Sequence, residues 1–144
     1  MENLTIVFSS NDRYSMLLGV ALCSLFENKK GDYPINLYVV DFEISIKNKE
    51  RLKVLEKKYG FTINYVLPDA KLYQGLPLDD LSKELYAPVE AFHCVYLTHF
   101  LPPACRKVID INVDVLIRGD ISELFNVDLG GKTIGAVADC YQKE

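Results

Sequence analysis

Asn112 and Asp114 stand one residue apart, directly after the mixed apolar and charged run at 107–111. Side chains two positions apart on an extended chain project to the same face, about 6.6 Å apart at a strand rise of roughly 3.3 Å per residue. A divalent cation together with a diphosphate could sit across such a pair, because hard cations take oxygen ligands. Asp110 and Asp114 would be roughly 13 Å apart on the same extended chain, too far to share an ion, so Asp110 is set aside as a ligand. Two further polar clusters punctuate the chain: Ser9-Ser10-Asn11-Asp12-Arg13 follows the first apolar run, and Asp139 follows the last. If each ends a strand of one sheet, all three converge on a single crevice at the strands' carboxyl ends, where open α/β sheets bind ligands.

The elements that would position them read as follows. Residues 4–8 form a short apolar run rich in β-branched and aromatic types, which marks a buried strand. Residues 15–27 place Leu17, Val20, Ala21 and Leu25 near helical spacing, and residues 35–40 form a second strand. Ser45 can cap a helix over 46–59, with Leu52, Leu55 and Tyr59 on one face and Gly60 as its stop. A third strand is expected over 61–67. The pattern weakens over 68–88, with one or two helical turns expected at 79–86, and an apolar helix follows over 89–100. A fourth strand enters at 107–111 and is interrupted at 112–114. A short helix is expected over 121–125, and Gly130-Gly131 turns the chain into a last strand at 133–138. Strand and helix alternate, which requires crossovers long enough to return the chain to the same edge, so the expected class is an α/β fold with a mainly parallel sheet.

The chain has 144 residues, 49% of them hydrophobic, enough for one core and therefore one domain over 1–144. A net charge of −4 with no Lys/Arg stripe argues against nucleic acid as a partner. The longest apolar stretch, 16–26, is shorter than the roughly 20 residues that span a bilayer. Glu2 also sits where a signal peptide would carry positive charge, so the expected location is the cytoplasm, including the inner face of the membrane as a peripheral site. Cys23, Cys94, Cys105 and Cys140 show no C-x-x-C pair, which points to buried free thiols rather than zinc or redox chemistry.

The ordered segments Ile6-Val7-Phe8-Ser9-Ser10-Asn11-Asp12-Arg13-Tyr14, Val40-Asp41-Phe42-Glu43-Ile44-Ser45, Asn112-x-Asp114 with Ile121-Ser122-Glu123-Leu124-Phe125, and Asp128-Leu129-Gly130-Gly131 through Asp139 resemble glycosyltransferase family 8. That family includes bacterial lipopolysaccharide galactosyl- and glucosyltransferases and glycogenin. The resemblance implies a GT-A fold, a Rossmann-like mixed, mainly parallel sheet flanked by helices. It also implies a UDP-hexose donor, a Mn²⁺ (or Mg²⁺) ion held by an Asp-x-Asp motif, a glycan or lipid-linked glycan acceptor, and transfer with retention of anomeric configuration. Carried onto this sequence, it puts Ser9, Asn11, Asp12, Arg13 and Tyr14 near the nucleotide, Asp139 near the donor sugar, and Asn112 and Asp114 at the metal.

The chain departs from the family pattern at several of these positions. The first metal-binding aspartate falls on Asn112, an amide that can offer a carbonyl oxygen but no charge. In the nucleotide loop Asn11-Asp12-Arg13-Tyr14 replaces the frequent Asp-Asp-Asn-Tyr; Asn11 can still pair with a base edge and Arg13 can reach a phosphate. The basic residue expected before the metal motif falls on Ala91 or Cys94, with His93 between them as a partial substitute. The sequence stops at Glu144, so the resemblance implies a truncated, amino-terminal half without the acceptor site, the further metal-binding His or the Gln at the reacting face. Three expectations follow: a hexosyltransferase whose isolated half is inactive, a non-catalytic nucleotide-sugar-binding or regulatory module, or a decayed structural fragment. A sheet ending at this point would expose apolar edge or face, so self-association is expected as well.

Overall fold

A computed structural model describes residues 4–73 and 89–137. Strand β1 (Leu4–Asn11) is apolar on both faces because it lies inside the sheet, and its residues alternate between two separate cores. It pairs in parallel with β2 (Ile35–Phe42) along its full length, from Leu4 opposite Ile35 to Asn11 opposite Phe42. Strand β3 (Ile63–Val66) continues on the far side of β2, and β4 (Ile109–Asp110) pairs with β1, giving the order β3-β2-β1-β4 with every described pair parallel.

The first core lies between the sheet and two helices. Ile6, Phe8, Leu37 and Val39 meet Leu18, Leu22 and Leu25 of α1 (Ser15–Glu27) and Leu52 of α2 (Ile46–Tyr59). The caps of α2 explain its limits. Ser45 has extended backbone and its side chain accepts from Asn48 N, while Gly60 ends the helix at φ +72°, a left-handed conformation that glycine adopts without a Cβ clash. The second core lies on the opposite face, where Val7 and Val40 meet Phe100 of α3 (Leu97–Phe100), with Tyr96, Leu97 and Val108 around them. Last in order is α4 (Ile121–Phe125), capped by Asp120 through Ser122 N.

Several expectations are corrected. The stretch 89–100 is not one α-helix: Val89–Tyr96 is a 3₁₀ helix and only Leu97–Phe100 is α. The fourth strand is confined to Ile109–Asp110, because beyond that pair the chain turns away from β1. Residues 133–137 form no strand; Ile134 and Val137 are 79% and 95% exposed. Among the described residues their β-branched character has no neighbouring strand to pack against, and β-propensity without a partner does not make a strand. Cys23 and Cys105 are half-buried and Cys94 is exposed, so the described cysteines are not buried. The helical turns expected at 79–86, Asp139 and Cys140 lie outside the described residues.

Candidate functional site

Parallel strands bring their carboxyl ends to one edge of the sheet. In this chain that edge carries the loop after β1, the loop after β2 and the segment after β4.

The loop after β1 is built by its own polar groups. Asn11 Oδ1 accepts from Tyr14 N at 3.1 Å, closing a tight Asx-type turn, and the Asp12 carbonyl accepts from Ser15 Oγ at 2.7 Å. The Asp12 carboxylate reaches across to the start of α2, where its Oδ1 accepts from Ser45 N at 2.8 Å and Asn48 Nδ2 at 2.7 Å. These bonds, from Ser45 first and then Asn48, with the Arg51 charge nearby, hold the Asp12 carboxyl below the usual carboxylate range. One Asp12 oxygen is therefore engaged in joining two loops. Arg13 and Tyr14 are exposed, with the guanidinium 5.8 Å from the ring centroid. Ser9 is half-buried, and Ser10 is buried, donating to Asn11 O at 3.0 Å.

At the end of β2 the structure adds a group to which sequence reasoning gave no role. Asp41 is buried, accepts from Ile44 N at 2.7 Å, and pairs with Lys49 Nζ of α2 at 2.5 Å. Glu43, between them in the chain, is forced to φ +64°. Lys49 also sits 5.1 Å from the Tyr65 ring, whose hydroxyl burial pushes up to about 12. The available signal was an acid closing an apolar strand, Val39-Val40-Asp41, at a carboxyl end.

The segment after β4 differs from the expectation of two side chains on one face of a strand. Val113 and Asp114 form a turn, so Asn112 and Asp114 are not displayed along an extended chain, though both are exposed. The segment is anchored before and after: Ile111 N donates to Val7 O at 2.9 Å, and Ile117 is held on α1 by Ser24 Oγ and Asn28 Nδ2, each at 3.0 Å. Val113 points inward against the first core. Val7 of β1 is opposite Asp110 of β4, and both chains run on toward the same edge of the sheet, β4 ending at Asp110 and β1 continuing four residues further to Asn11.

A cation at this segment would find two protein oxygen donors, the Asn112 amide and the Asp114 carboxylate. Among the described residues no group of three His, Cys, Asp or Glu side chains lies close enough to hold an ion. The donor set is oxygen-only and suits Mn²⁺ or Mg²⁺ when diphosphate and water complete the shell. His93 does not replace the missing basic residue. Its ring is buried and Nε2 lies 2.8 Å from Asp110 Oδ1, so it faces the protein.

Residues 5–144 match the sequence profile of Glycosyl transferase family 8. General stress protein A of Bacillus subtilis is 28% identical over 144 residues, covering 99% of this chain and 49% of that protein. UDP-glucose:glycoprotein glucosyltransferase of Drosophila melanogaster is 26% identical over 136 residues, covering 94% of this chain and 8% of that protein. The crystal structure of the galactosyltransferase LgtC in complex with donor and acceptor sugar analogs superposes with a TM-score of 0.72 at 26% identity, over 88% of this chain and 44% of that one. This chain thus spans about half the length of the first of these relatives and less of the others. The parallel sheet flanked by helices is that of the GT-A transferases, and the chain belongs to glycosyl transferase family 8.

Proposed function

We propose that this chain is the donor-binding part, residues 1–144, of a retaining hexosyltransferase that moves glucose or galactose from a UDP-sugar to a glycan or lipopolysaccharide-type acceptor. The observation that carries the reading is that the 11–14 loop and the 112–114 segment leave neighbouring parallel strands toward one edge of the sheet in a chain of this family. The names of relatives support a UDP-hexose: one is a UDP-glucose-dependent glucosyltransferase, another a galactosyltransferase seen with sugar analogs.

In this reading Ser9, Asn11, Asp12, Arg13 and Tyr14 form the nucleotide side. The Asn11 turn and the Asp12 bridge to α2 fix the loop's shape, and Arg13, exposed beside it, supplies the cation for a phosphate oxygen. Asn112 and Asp114 form the metal side, and Asp139, outside the described residues, is assigned to the donor sugar by its place in the family motif. Asn112 and Asp114 would hold a divalent cation through their oxygens, and such an ion would supply the positive charge that makes the diphosphate a competent leaving group. Among the described residues no helix is long and apolar enough to cross a membrane, and a cytoplasmic location is part of the proposal.

A second reading, a nucleotide-sugar-binding module without catalysis, is favoured by one observation. Asn112 offers an amide where the family motif has a carboxylate, and among the described residues no group of three His, Cys, Asp or Glu side chains could hold an ion. Calorimetric titration of UDP with and without Mn²⁺ separates the two. Mn²⁺-dependent heat supports the transferase, metal-independent heat selects the module, and no heat in either condition removes both. Asn112→Asp restores an anionic ligand and is expected to tighten the Mn²⁺-dependent binding; an unchanged affinity removes residue 112 from the metal site.

A further inference from the structure

One polar contact next to the candidate metal segment has no part in that reading. His93 is almost wholly buried, 3% exposed, and its Nε2 lies 2.8 Å from Asp110 Oδ1, on a side chain 27% exposed. We propose that His93 and Asp110 are positioning residues for the donor site, their contact fixing the carboxyl end of β4 and with it the 112–114 segment. The proposal rests on the donor-site reading above.

Strand β4 is a weak platform for a ligand-binding turn. It has two residues, Ile109 and Asp110, paired with Ile6 and Val7, and one further backbone bond from Ile111 to Val7 before the chain leaves the sheet. Ile109 enters the first core, so its side chain holds the strand from one face. Asp110 follows it, and alternation turns its side chain to the opposite face. There it meets His93. That contact gives the second face of β4 a directional hold at this position.

The element that carries His93 is itself fixed. In a 3₁₀ helix residues i and i+3 lie above one another, so His93 and Tyr96 share a face of the Val89–Tyr96 helix. Tyr96 packs in the second core with Val7, Val40 and Phe100. The same packing that seats Tyr96 therefore brings His93 to the sheet beside Asp110. A buried imidazole needs a hydrogen-bond partner, and a directional partner selects one placement of the strand end where apolar packing alone would tolerate several. From Asp110 the chain runs through Ile111 to Asn112, and the next anchor is Ile117 on α1. Two side-chain holds, His93 with Asp110 and Ser24 with Ile117, thus bound the turn that presents Asn112 and Asp114.

The test is UDP titration with and without Mn²⁺ on the unsubstituted chain, His93→Leu, His93→Gln, Asp110→Asn and Asp110→Ala, each with a thermal melt. His93→Leu and Asp110→Ala are expected to melt cooperatively and to lose about tenfold in Mn²⁺-dependent UDP affinity, the scale of loss when groups orienting metal ligands are removed. His93→Gln keeps a side-chain N–H donor and Asp110→Asn keeps an acceptor oxygen, so each is expected to recover most of the affinity. Folded Leu and Ala variants with unchanged affinity overturn the proposal. So does a loss in Asp110→Asn equal to that in Asp110→Ala, which would assign the effect to charge. Because the Asp110 side chain is partly exposed, Asp110→Ala keeps the test open even if His93→Leu fails to fold. An unsubstituted chain that gives no heat with UDP overturns the donor-site reading and this proposal together, and is distinct from binding that the substitutions leave unaltered.

Discussion

The two loops that make up the candidate site are built differently. The loop after β1 sits on a strand paired on both sides, eight residues long against β2, and is closed by Asn11 and bridged by Asp12 to α2. The segment after β4 rises from a two-residue edge strand, turns at once, and is followed at 133–137 by exposed chain with no regular structure. The difference teaches that the proposed nucleotide side is a property of the β1-α1-β2-α2 unit itself. The proposed metal side depends on a few side-chain anchors reaching back to that unit.

A pair of truncations tests this contrast with the largest effect. Phe8 is fully buried between the sheet and α1, whereas Val137 is 95% exposed. Phe8→Ala is expected to cost about 3–5 kcal/mol by loss of burial and cavity formation, and Val137→Ala less than about 0.5 kcal/mol. Urea denaturation of both variants measures the difference. Comparable losses at the two positions would show that the later region is as deeply packed as the first, and would break the comparison.

The next effect comes from the strongest anchor between the regions. The buried Asp120 carboxylate accepts from Lys30 N at 2.6 Å, Tyr33 Oη at 2.7 Å and Ser122 N at 2.9 Å, and from Ser122 Oγ. It thereby caps α4 and fastens it to the loop before β2. Asp120→Ala is expected to cost roughly 2–4 kcal/mol, since it orphans several partly buried donors at once. These bonds, from Ser122 first and then Tyr33, hold the Asp120 carboxyl well below the usual carboxylate range, and burial, with Asp120 adding to it, pushes the Tyr33 phenol up to about 12. A carboxyl whose folded pKa is depressed contributes stability that is present above its unfolded value of roughly 3.9 and is lost as pH falls below it. The gap in stability between the unsubstituted chain and Asp120→Ala is therefore expected to be constant from pH 7 to about pH 5 and to shrink below about pH 4. A gap that is as large at pH 3 as at pH 7 would deny the charged carboxylate its role.

How much of this was legible follows the same division. The caps of α2 could be read directly, because Ser45, Asn48 and Gly60 act within one helix and local chemistry decides them. The apolar strands β1 and β2 were equally plain, each being a continuous run that only a doubly covered parallel sheet can bury. At 107–117 and 133–137 the residues carry the same β-branched signature, yet only Ile109 and Asp110 pair, because a strand needs a neighbour and the sequence does not say where β1 stops offering one. Spacing placed Asn112 and Asp114 on one extended face for the same reason, and the turn at Val113 and Asp114 undoes it. The Asp12 bridge to Ser45, the Asp41 pair with Lys49 and the His93 contact with Asp110 join residues distant in sequence, and no local pattern announces them.

The smallest expected effect bears on the nucleotide side alone. Asp12 is exposed, yet its carboxylate holds Ser45 N and Asn48 Nδ2 at the first turn of α2, where the helix end also favours a negative charge. Asp12→Ala is expected to leave global melting nearly unchanged, since an exposed carboxylate contributes little to overall stability. It should speed hydrogen exchange at Ser45 N and leave the amide of Ile117, held by Ser24 Oγ on the metal side, at its original rate. The Asp12 carboxyl is held below the usual range, so the protection it confers is present above its unfolded value and fades as pH falls through about 4 and below. Faster exchange at both amides would mean that the two loops share one cooperative unit, and the self-contained character of the β1-α1-β2-α2 unit would have to be given up.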